Sequence, residues 1–347
     1  MSTILIDGFD HYTTNEILAK WDNGAFNGPC ISGSAGRRGG GCLELDAGEY
    51  VYKLFPNATT VMFGAALRFT ALPTNASEAI AQWINGGEVQ ATLWLSPDGS
   101  LKVYRGAALG TLLLTTDAVL TVGTYLYVEA KILFSHTAGT AGIHVTTPTT
   151  ALSFSATALD TSVSASGETC NCFKWLGTSG TLRVDDFYLL DGSGSSLNDF
   201  LGDCRVDTSL PRATGSSAQF TVAAGSTGPN FDVVNDIPPD ADYVRGSFVG
   251  AVDKYAMQPV VSVTGAIHTV QVTTYAKASV AGLSRINHVV CNTLGSDDVL
   301  SAPLEVGLGF KFLRTITPQR PATVGSPAAP WTAVGINGAQ FGVKVAE

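Results

Sequence analysis

Val89-Gln90-Ala91-Thr92-Leu93-Trp94-Leu95-Ser96-Pro97-Asp98-Gly99-Ser100-Leu101-Lys102-Val103-Tyr104 reads as two β-strands joined by a turn. Apolar and polar residues alternate with a period near two over 89–95 and 101–104. Ser96-Pro97-Asp98-Gly99 supplies hairpin-turn chemistry, Pro presetting one φ and Gly accepting a positive one. The same signature returns at 50–55, 61–69, 125–134 and 182–190, with Asn85-Gly86-Gly87 as a second turn. Short strands at even spacing predict an all-β chain built as a sandwich or jelly roll. One short helix is expected, Thr14 capping residues 15–20 with Ile17, Leu18 and Trp21 facing the core.

Composition narrows what such a chain can be. Its 347 residues suggest two domains. Charged residues are only 14%, against roughly 25% in an average soluble domain, and the mean hydropathy is +0.21. Either a membrane protein or a subunit covered by neighbours would account for this. No stretch approaches the ~20 uninterrupted apolar residues of a spanning helix, so the second explanation is preferred. The N-terminus MSTILIDGFDHY has neither the basic segment nor the apolar run of a signal peptide, so synthesis in the cytoplasm is expected. The net charge is −9 and the only basic cluster is Arg37-Arg38, which argues against a nucleic-acid groove. Six cysteines, Cys30, Cys42, Cys170, Cys172, Cys204 and Cys291, show no CxxC spacing. Reduced, mostly buried thiols are expected, and nothing in the sequence supports a Cys30–Cys42 bridge.

Along the chain, Asp191-Gly192-Ser193-Gly194-Ser195-Ser196 is the clearest linker. It divides a first domain over 1–192 from a linker over 193–203 and a second β domain over 204–347. Strand signals in the second domain fall at 219–223, 243–249, 260–263, 267–275, 286–291 and 308–314. Asp236-Ile237-Pro238-Pro239-Asp240 interrupts them as a rigid extended segment, residues 318–330 read as a loop, and 331–345 close the domain with apolar–polar alternation.

Few constellations suggest chemistry. Glu44-Leu45-Asp46-Ala47-Gly48-Glu49 is E-x-D-x-x-E, the pattern of laminarinase-type glucanases on a concanavalin A-like sandwich. Two carboxylates roughly 5–5.5 Å apart could act as nucleophile and acid/base. Glu44 and Asp46 would share a strand face, but Glu49 joins them only through a bulge. Ala47-Gly48 instead looks like a turn, and no tryptophans cluster around the motif to form sugar subsites. An outward strand face followed by a turn is therefore preferred, with Glu44, Asp46 and Glu49 kept as the alternative catalytic set. The histidines are isolated, with no H-x-x-x-H or H-E-x-x-H spacing, and no G-x-S-x-G elbow occurs. The glycine-rich run over 33–41 lacks the Lys-Ser/Thr ending of a phosphate loop; Arg37 and Arg38 are expected to pair with acids of this or a neighbouring subunit. Asp185 and Asp186 are adjacent on a strand, so without a kink their side chains point to opposite faces. Hydrogen bonding to loop backbone is preferred for them, with calcium bound by one of them and loop carbonyls as the alternative. The tryptophans Trp21, Trp83, Trp94, Trp175 and Trp331 are read as core unless one is exposed on a sheet face, where it could stack on sugar.

The run Asp185-Asp186-Phe187-Tyr188-Leu189-Leu190-Asp191, followed by Asn198-Asp199-Phe200-Leu201-Gly202-Asp203-Cys204-Arg205-Val206, resembles a junction of tailed-phage virion proteins. So do the opening Asp7-Gly8-Phe9-Asp10-His11-Tyr12 with Trp21, the stretch Gly36-Arg37-Arg38-Gly39-Gly40-Gly41-Cys42-Leu43, the later Pro238-Pro239-Asp240-Ala241-Asp242-Tyr243-Val244, and Trp331-Thr332 with Gly342-Val343. The resemblance spans nearly the whole chain. It implies an N-terminal concanavalin A-like (laminin-G-like) jelly-roll sandwich followed by a smaller β-sandwich for assembly or attachment. The function it implies is that of a non-enzymatic structural component of the virion — tail, neck, or head appendage or decoration — assembling as a homo-oligomer with other virion proteins. A carbohydrate-binding module contacting host surface glycans is the alternative, and a β-glycan hydrolase the more remote one. The family supplies no catalytic residues to carry over.

Overall fold

The computed structural model describes residues 3–347 except 164–166, 224–225, 240–241, 262, 293–297 and 324–326. It divides into two compact units, Met1–Asp207 and Thr208–Glu347. No helix among the described residues is long and apolar enough to cross a membrane.

The first unit is an antiparallel sandwich of two sheets, as the strand pattern predicts. One sheet runs Ala151–Leu159, Gly139–Thr146, Leu126–Leu133, Thr60–Phe69, Leu182–Asp191, Cys42–Leu45 and Ile31–Ser32, with Thr3–Asp7 also paired to Leu182–Asp191. The other runs Leu112–Ala118, Ser100–Arg105, Glu88–Leu95, Glu78–Asn85, Cys170–Leu176, Tyr50–Ala58 and Asn23–Ala25. The opening hairpin sits in this second sheet, Leu93 opposite Val103 and Leu95 opposite Leu101, all buried inward. Between the sheets lies an aromatic core. Phe63 meets Trp175 edge-on at 4.9 Å and Phe173 at 5.1 Å, while Phe187 bridges Trp175 and Trp21. Such tilted and edge-to-face pairs add to the free energy of burying the rings.

The eight-stranded sheet is covered on its outer side too, which is why Leu182–Asp191 is almost wholly buried. Leu197, Leu201 and Cys204 pack against Met62, Tyr127 and Tyr188. Gly64 leaves room for the Tyr188 ring, which a Cβ there would strike. Across that gap the Tyr188 hydroxyl donates to buried Glu129, whose Oε1 also accepts from the amides of Leu201 and Gly202 at 2.8 and 3.0 Å. Residues 197–206, divided above between linker and second domain, are thus bonded to the first unit.

The short helix forms as Thr14–Glu16 in 3-10 geometry and Ile17–Lys20 in α geometry. Its cap is Thr13 rather than Thr14. The Glu16 carboxylate accepts from the Thr13 amide at 2.9 Å and hydroxyl at 2.7 Å, while Thr14 Oγ1 instead accepts from the amides of Cys30 and Ile31. Ile17 and Trp21 are buried as expected, but Leu18 is half exposed because it points away on the opposite side of the single turn.

The second unit has a six-stranded antiparallel sheet ordered Pro211–Ala218, Val252–Met257, Gln340–Val345, Arg285–Cys291 and Asp298–Leu300, with Leu304–Glu305 also on Arg285–Cys291. A two-stranded ribbon, Val270–Ala276 with Lys311–Thr317, packs on it. Val270 and Val272 pack on the cluster of Val290, Trp331, Ile336 and Phe341. The strand expected over 260–263 is absent among its described residues, and Val261 is largely exposed. The expected strands over 219–223 and 243–249 shrink to Thr221–Val222 and Val244–Arg245. Asp240 and Ala241 of the Pro-Pro-x-x-Asp-Tyr-Val stretch lie outside the described residues.

Candidate functional site

Each carboxylate of E-x-D-x-x-E is committed to a separate structural partner. Glu44 lies opposite Arg183 on the neighbouring strand, and their side chains form an ion pair at 2.6 Å. Asp46 Oδ1 accepts from the Thr181 hydroxyl at 2.7 Å. Asp46-Ala47-Gly48-Glu49 is a turn closed by the Glu49 amide on the Asp46 carbonyl at 2.9 Å, with Gly48 at a φ of 85°. Buried Glu49 accepts from the amides of Asn27 at 2.5 Å and Asp46 at 2.9 Å. No bulge turns Glu49 onto the face of Glu44.

A denser polar constellation forms where four of the stretches quoted for the resemblance converge. Asp7 is fully buried at the end of the first strand. It pairs with the Lys20 ammonium at 2.8 Å and accepts from the Tyr12 hydroxyl, the Trp21 indole and the Phe9 amide. Burial pushes its carboxyl up, but Lys20, His11 and the Tyr12 hydroxyl together outweigh this and hold it below the ordinary range. His11, 3.1 Å from Lys20 Nζ, is pushed down to about 3 by burial and by that ammonium. The loop carrying Arg37 then closes over the segment: Gly41 donates to Asp10 at 2.5 Å and lies so close to the Phe9 carbonyl that a Cβ would collide with it.

The strand kinks at the acid pair, which corrects the opposite-face expectation. Asp186 has a φ of 50°, and the register slips between Asp185 and Tyr188. This β-bulge buries both acids. Asp185 accepts from the Arg37 amide at 2.7 Å, and Asp186 from the Val206 amide at 2.8 Å. The cation facing them is the Arg37 guanidinium, 3.5 Å from Asp186 and bidentate on Asp203 at 2.5 Å. Hydrogen bonding to loop backbone is therefore what these acids do. Burial and the neighbouring Asp186 charge push the Asp185 carboxyl up to about 7. Among the described residues no group of three or more His, Cys, Asp or Glu side chains is arranged to hold a metal ion. The arrangement is a joint: it pins the loop over 36–41 and residues 203–206 to one strand.

The outer face of the seven-stranded sheet differs in kind. Register places Tyr52, Lys174, Gln82, Thr92 and Tyr104 in one row across five strands, Thr92 being buried with its hydroxyl on the Gly106 carbonyl, and Tyr50 and Trp94 in flanking positions. The Tyr50 and Tyr52 rings are stacked at 6.4 Å, and Lys174 Nζ sits 3.8 Å over Tyr50. Tyr50, Tyr52, Trp94 and Tyr104 are half-buried, whereas Trp21, Trp83, Trp175 and Trp331 are core. Alternation assigns Trp94 to this face, but the row itself needs the strand order and was not legible in the sequence. Half-exposed rings beside amide and ammonium donors can stack on and hydrogen-bond a sugar.

The remaining groups are structural. All six cysteines are free, five of them buried. In the second unit, buried His288 lies between the hydroxyls of Thr315 and Thr274, at 2.8 and 3.0 Å, and burial pushes it down to about 4. A pocket of about 430 Å³, with Val263, Ile267, Pro330 and Trp331 among its lining, carries no charged side chain.

No protein family profile matches the sequence, and no curated protein does. Among solved structures, the chain is similar to a cellulose induced protein, Cip1, at 13% identity and a TM-score of 0.37, over 54% of this chain and 96% of that one. It is similar to lectin I-B4 from Griffonia simplicifolia at 9% identity and 0.32, over 48% and 92%. It is also similar to an alginate lyase of polysaccharide lyase family 7 at 13% identity and 0.30, over 43% and 76%.

Proposed function

We propose that this chain is a non-catalytic structural subunit of a tailed-phage virion, assembling with copies of itself and with other virion proteins. The observation that carries the assembly reading is where apolar surface is left open. Of eighteen large apolar side chains exposed among the described residues, twelve belong to the smaller second unit, including Phe248, Val249, Val261 and Leu308. Apolar surface on a chain with few charges is the composition of interface cores. The phage assignment rests on the sequence resemblance, whose first-unit stretches meet in one structural joint rather than a cleft. Immunogold electron microscopy of purified particles tests it: regular labelling of tail, neck or head supports the reading, and absence of the protein from mature particles overturns it.

The row on the seven-stranded sheet favours a second reading, contact with host surface glycans. A glycan array probed with and without calcium should then show binding that Tyr50→Ala weakens. A blank array under both conditions argues against it. The hydrolase alternative has the least support, since Glu44, Asp46 and Glu49 are separately engaged. Equal absence of β-glucan cleavage by the wild type and Glu44→Gln would dispose of it.

A further inference from the structure

The two sheets of the first unit end very differently on their two sides. On one side the outermost strands are Asn23–Ala25 and Ile31–Ser32, three and two residues long. Edges that short offer few unpaired amides and carbonyls to an incoming strand. On the other side the outermost strands are Ala151–Leu159 and Leu112–Ala118, nine and seven residues long. In the sheet order each pairs along one side only, with Gly139–Thr146 and Ser100–Arg105 respectively. The two pack against each other, so the open edges of both sheets lie together.

This long edge lacks the devices that normally block pairing. Ala-Leu-Ser-Phe-Ser-Ala-Thr-Ala-Leu over 151–159 contains no charge and no proline. Its register is unbroken from Ala151 to Ala156, and the irregularity comes at the far end, beside Ala158 with a φ of 55°. Leu112–Ala118, by contrast, carries Asp117 and two register shifts, so it is the poorer template. Apolar side chains gather here as well. Of the six large ones exposed in this unit, Leu112 lies in the edge strand, Leu109 in the loop leading to it, and Val163 against Gly106 of that loop.

We infer that Ala151–Leu159 is a self-association edge, at which a second copy of this chain adds its own Ala151–Leu159 antiparallel about a two-fold axis and continues the eight-stranded sheet. The occupant follows from the strand's chemistry. A strand that meets itself antiparallel about a two-fold axis sets residue i of one copy opposite residue j of the other and j opposite i, so a charge near the axis meets its own copy; this strand has no charge at any position. The stacked edges form a face two layers deep, which another sandwich edge matches and a lone peptide does not. Nine residues span about 30 Å, and two layers with their side chains about 20 Å, giving roughly 600 Å² per copy, at the lower end for a specific interface. A concentration-dependent dimer is therefore expected. The inference names a surface for the self-assembly proposed above and rests on that reading.

The test is sedimentation velocity of the full chain over about 1–100 µM. Ser153→Lys with Ser155→Lys places charges on the exposed face of the edge strand, where the two-fold axis brings them near their copies. This double variant should weaken association by about tenfold or more, while Ser32→Lys on the opposite edge should leave it unchanged. Association that is equally strong in all three proteins overturns the edge assignment and leaves the assembly reading standing. A wild type that stays monomeric throughout overturns both. Hydrogen exchange of the wild type at low and high concentration needs no variant: amides of 151–159 should exchange more slowly when concentrated, and unchanged exchange in an associating sample sinks the edge.

Discussion

Lys20→Met is expected to cost the first unit about 3–5 kcal/mol at neutral pH. The magnitude follows from what the ammonium faces. Lys20 and Asp7 are 1% and 0% exposed and 2.8 Å apart. Methionine keeps most of the stem's packing but leaves a carboxylate shut away from water among neutral donors, the Tyr12 hydroxyl, the Trp21 indole and the Phe9 amide. The loss should also depend on pH. In the wild type the Asp7 carboxyl sits below its ordinary value, so its contribution is complete above that value and lost only as pH falls through the folded one. In the variant burial persists without Lys20, the carboxyl rises above its ordinary value, and folding takes up a proton. The deficit should therefore be largest near pH 7 and shrink toward pH 4. Urea unfolding followed by tryptophan fluorescence reads this directly, because Trp21, Trp83, Trp94 and Trp175 all lie in the first unit. A loss below about 1 kcal/mol at pH 7, or one that does not change with pH, would refute the argument.

Asp185, raised to about 7, makes stability fall as pH rises from about 4 to 7, whereas His11, lowered to about 3, makes it rise between about 3 and 6.5; in the wild type the two oppose each other. Asp185→Asn removes one side of this balance, so the variant's stability should climb more steeply between pH 4.5 and 6 in urea titrations, by up to about 1.4 kcal/mol per pH unit. Glu129→Gln leaves the amides of Leu201 and Gly202 and the Tyr188 hydroxyl with a weaker acceptor, costing about 1–3 kcal/mol, and limited proteolysis should cut residues 193–203 faster. Buried His288 binds no proton near pH 5 while its unfolded counterpart does, so the second unit should lose stability as pH falls from about 6.5 toward 4, and His288→Gln should flatten that dependence in thermal unfolding. Glu44→Gln breaks only a partly exposed pair and should shift stability by no more than about 1 kcal/mol.

What was legible in the sequence was local. The hairpin over 89–104 carries its turn and its alternation within sixteen residues, and the structure has it as two paired strands joined at that turn. Pro211–Ala218 was not legible, because Pro-Arg-Ala-Thr-Gly-Ser-Ser-Ala has loop composition and becomes a strand only by pairing with Val252–Met257. That partner was hidden by its own charges. Asp253 and Lys254 argue against a buried strand until their partners are known: the Phe220 amide, Asn230 and Tyr255 for the first, Asp298 for the second. The reverse error, a strand over 260–263, came from reading Val, Val and Val as burial where Val261 faces solvent. The kink at Asp186 was invisible for the same reason as the hidden strand: what stabilises a positive φ there is a loop about 150 residues earlier in the chain, whose Arg37 amide and guanidinium meet the acids. The turn at Asp46–Glu49 was legible because Gly48 announces it, whereas the aromatic row on the seven-stranded sheet depends on strand order that no single segment carries.

The pairing of Thr3–Asp7 with Leu182–Asp191, and the close approach of Gly8 to the Val206 carbonyl, have a topological consequence. The polypeptide enters and leaves the first unit at adjoining points. A body wired this way can be opened elsewhere and rejoined through a short bridge between those points. A circular permutant cut at Gly86-Gly87, an exposed glycine pair between two strands, should therefore preserve the sandwich. The same wiring would let the unit be spliced into a surface loop of another protein without forcing the host's strands apart.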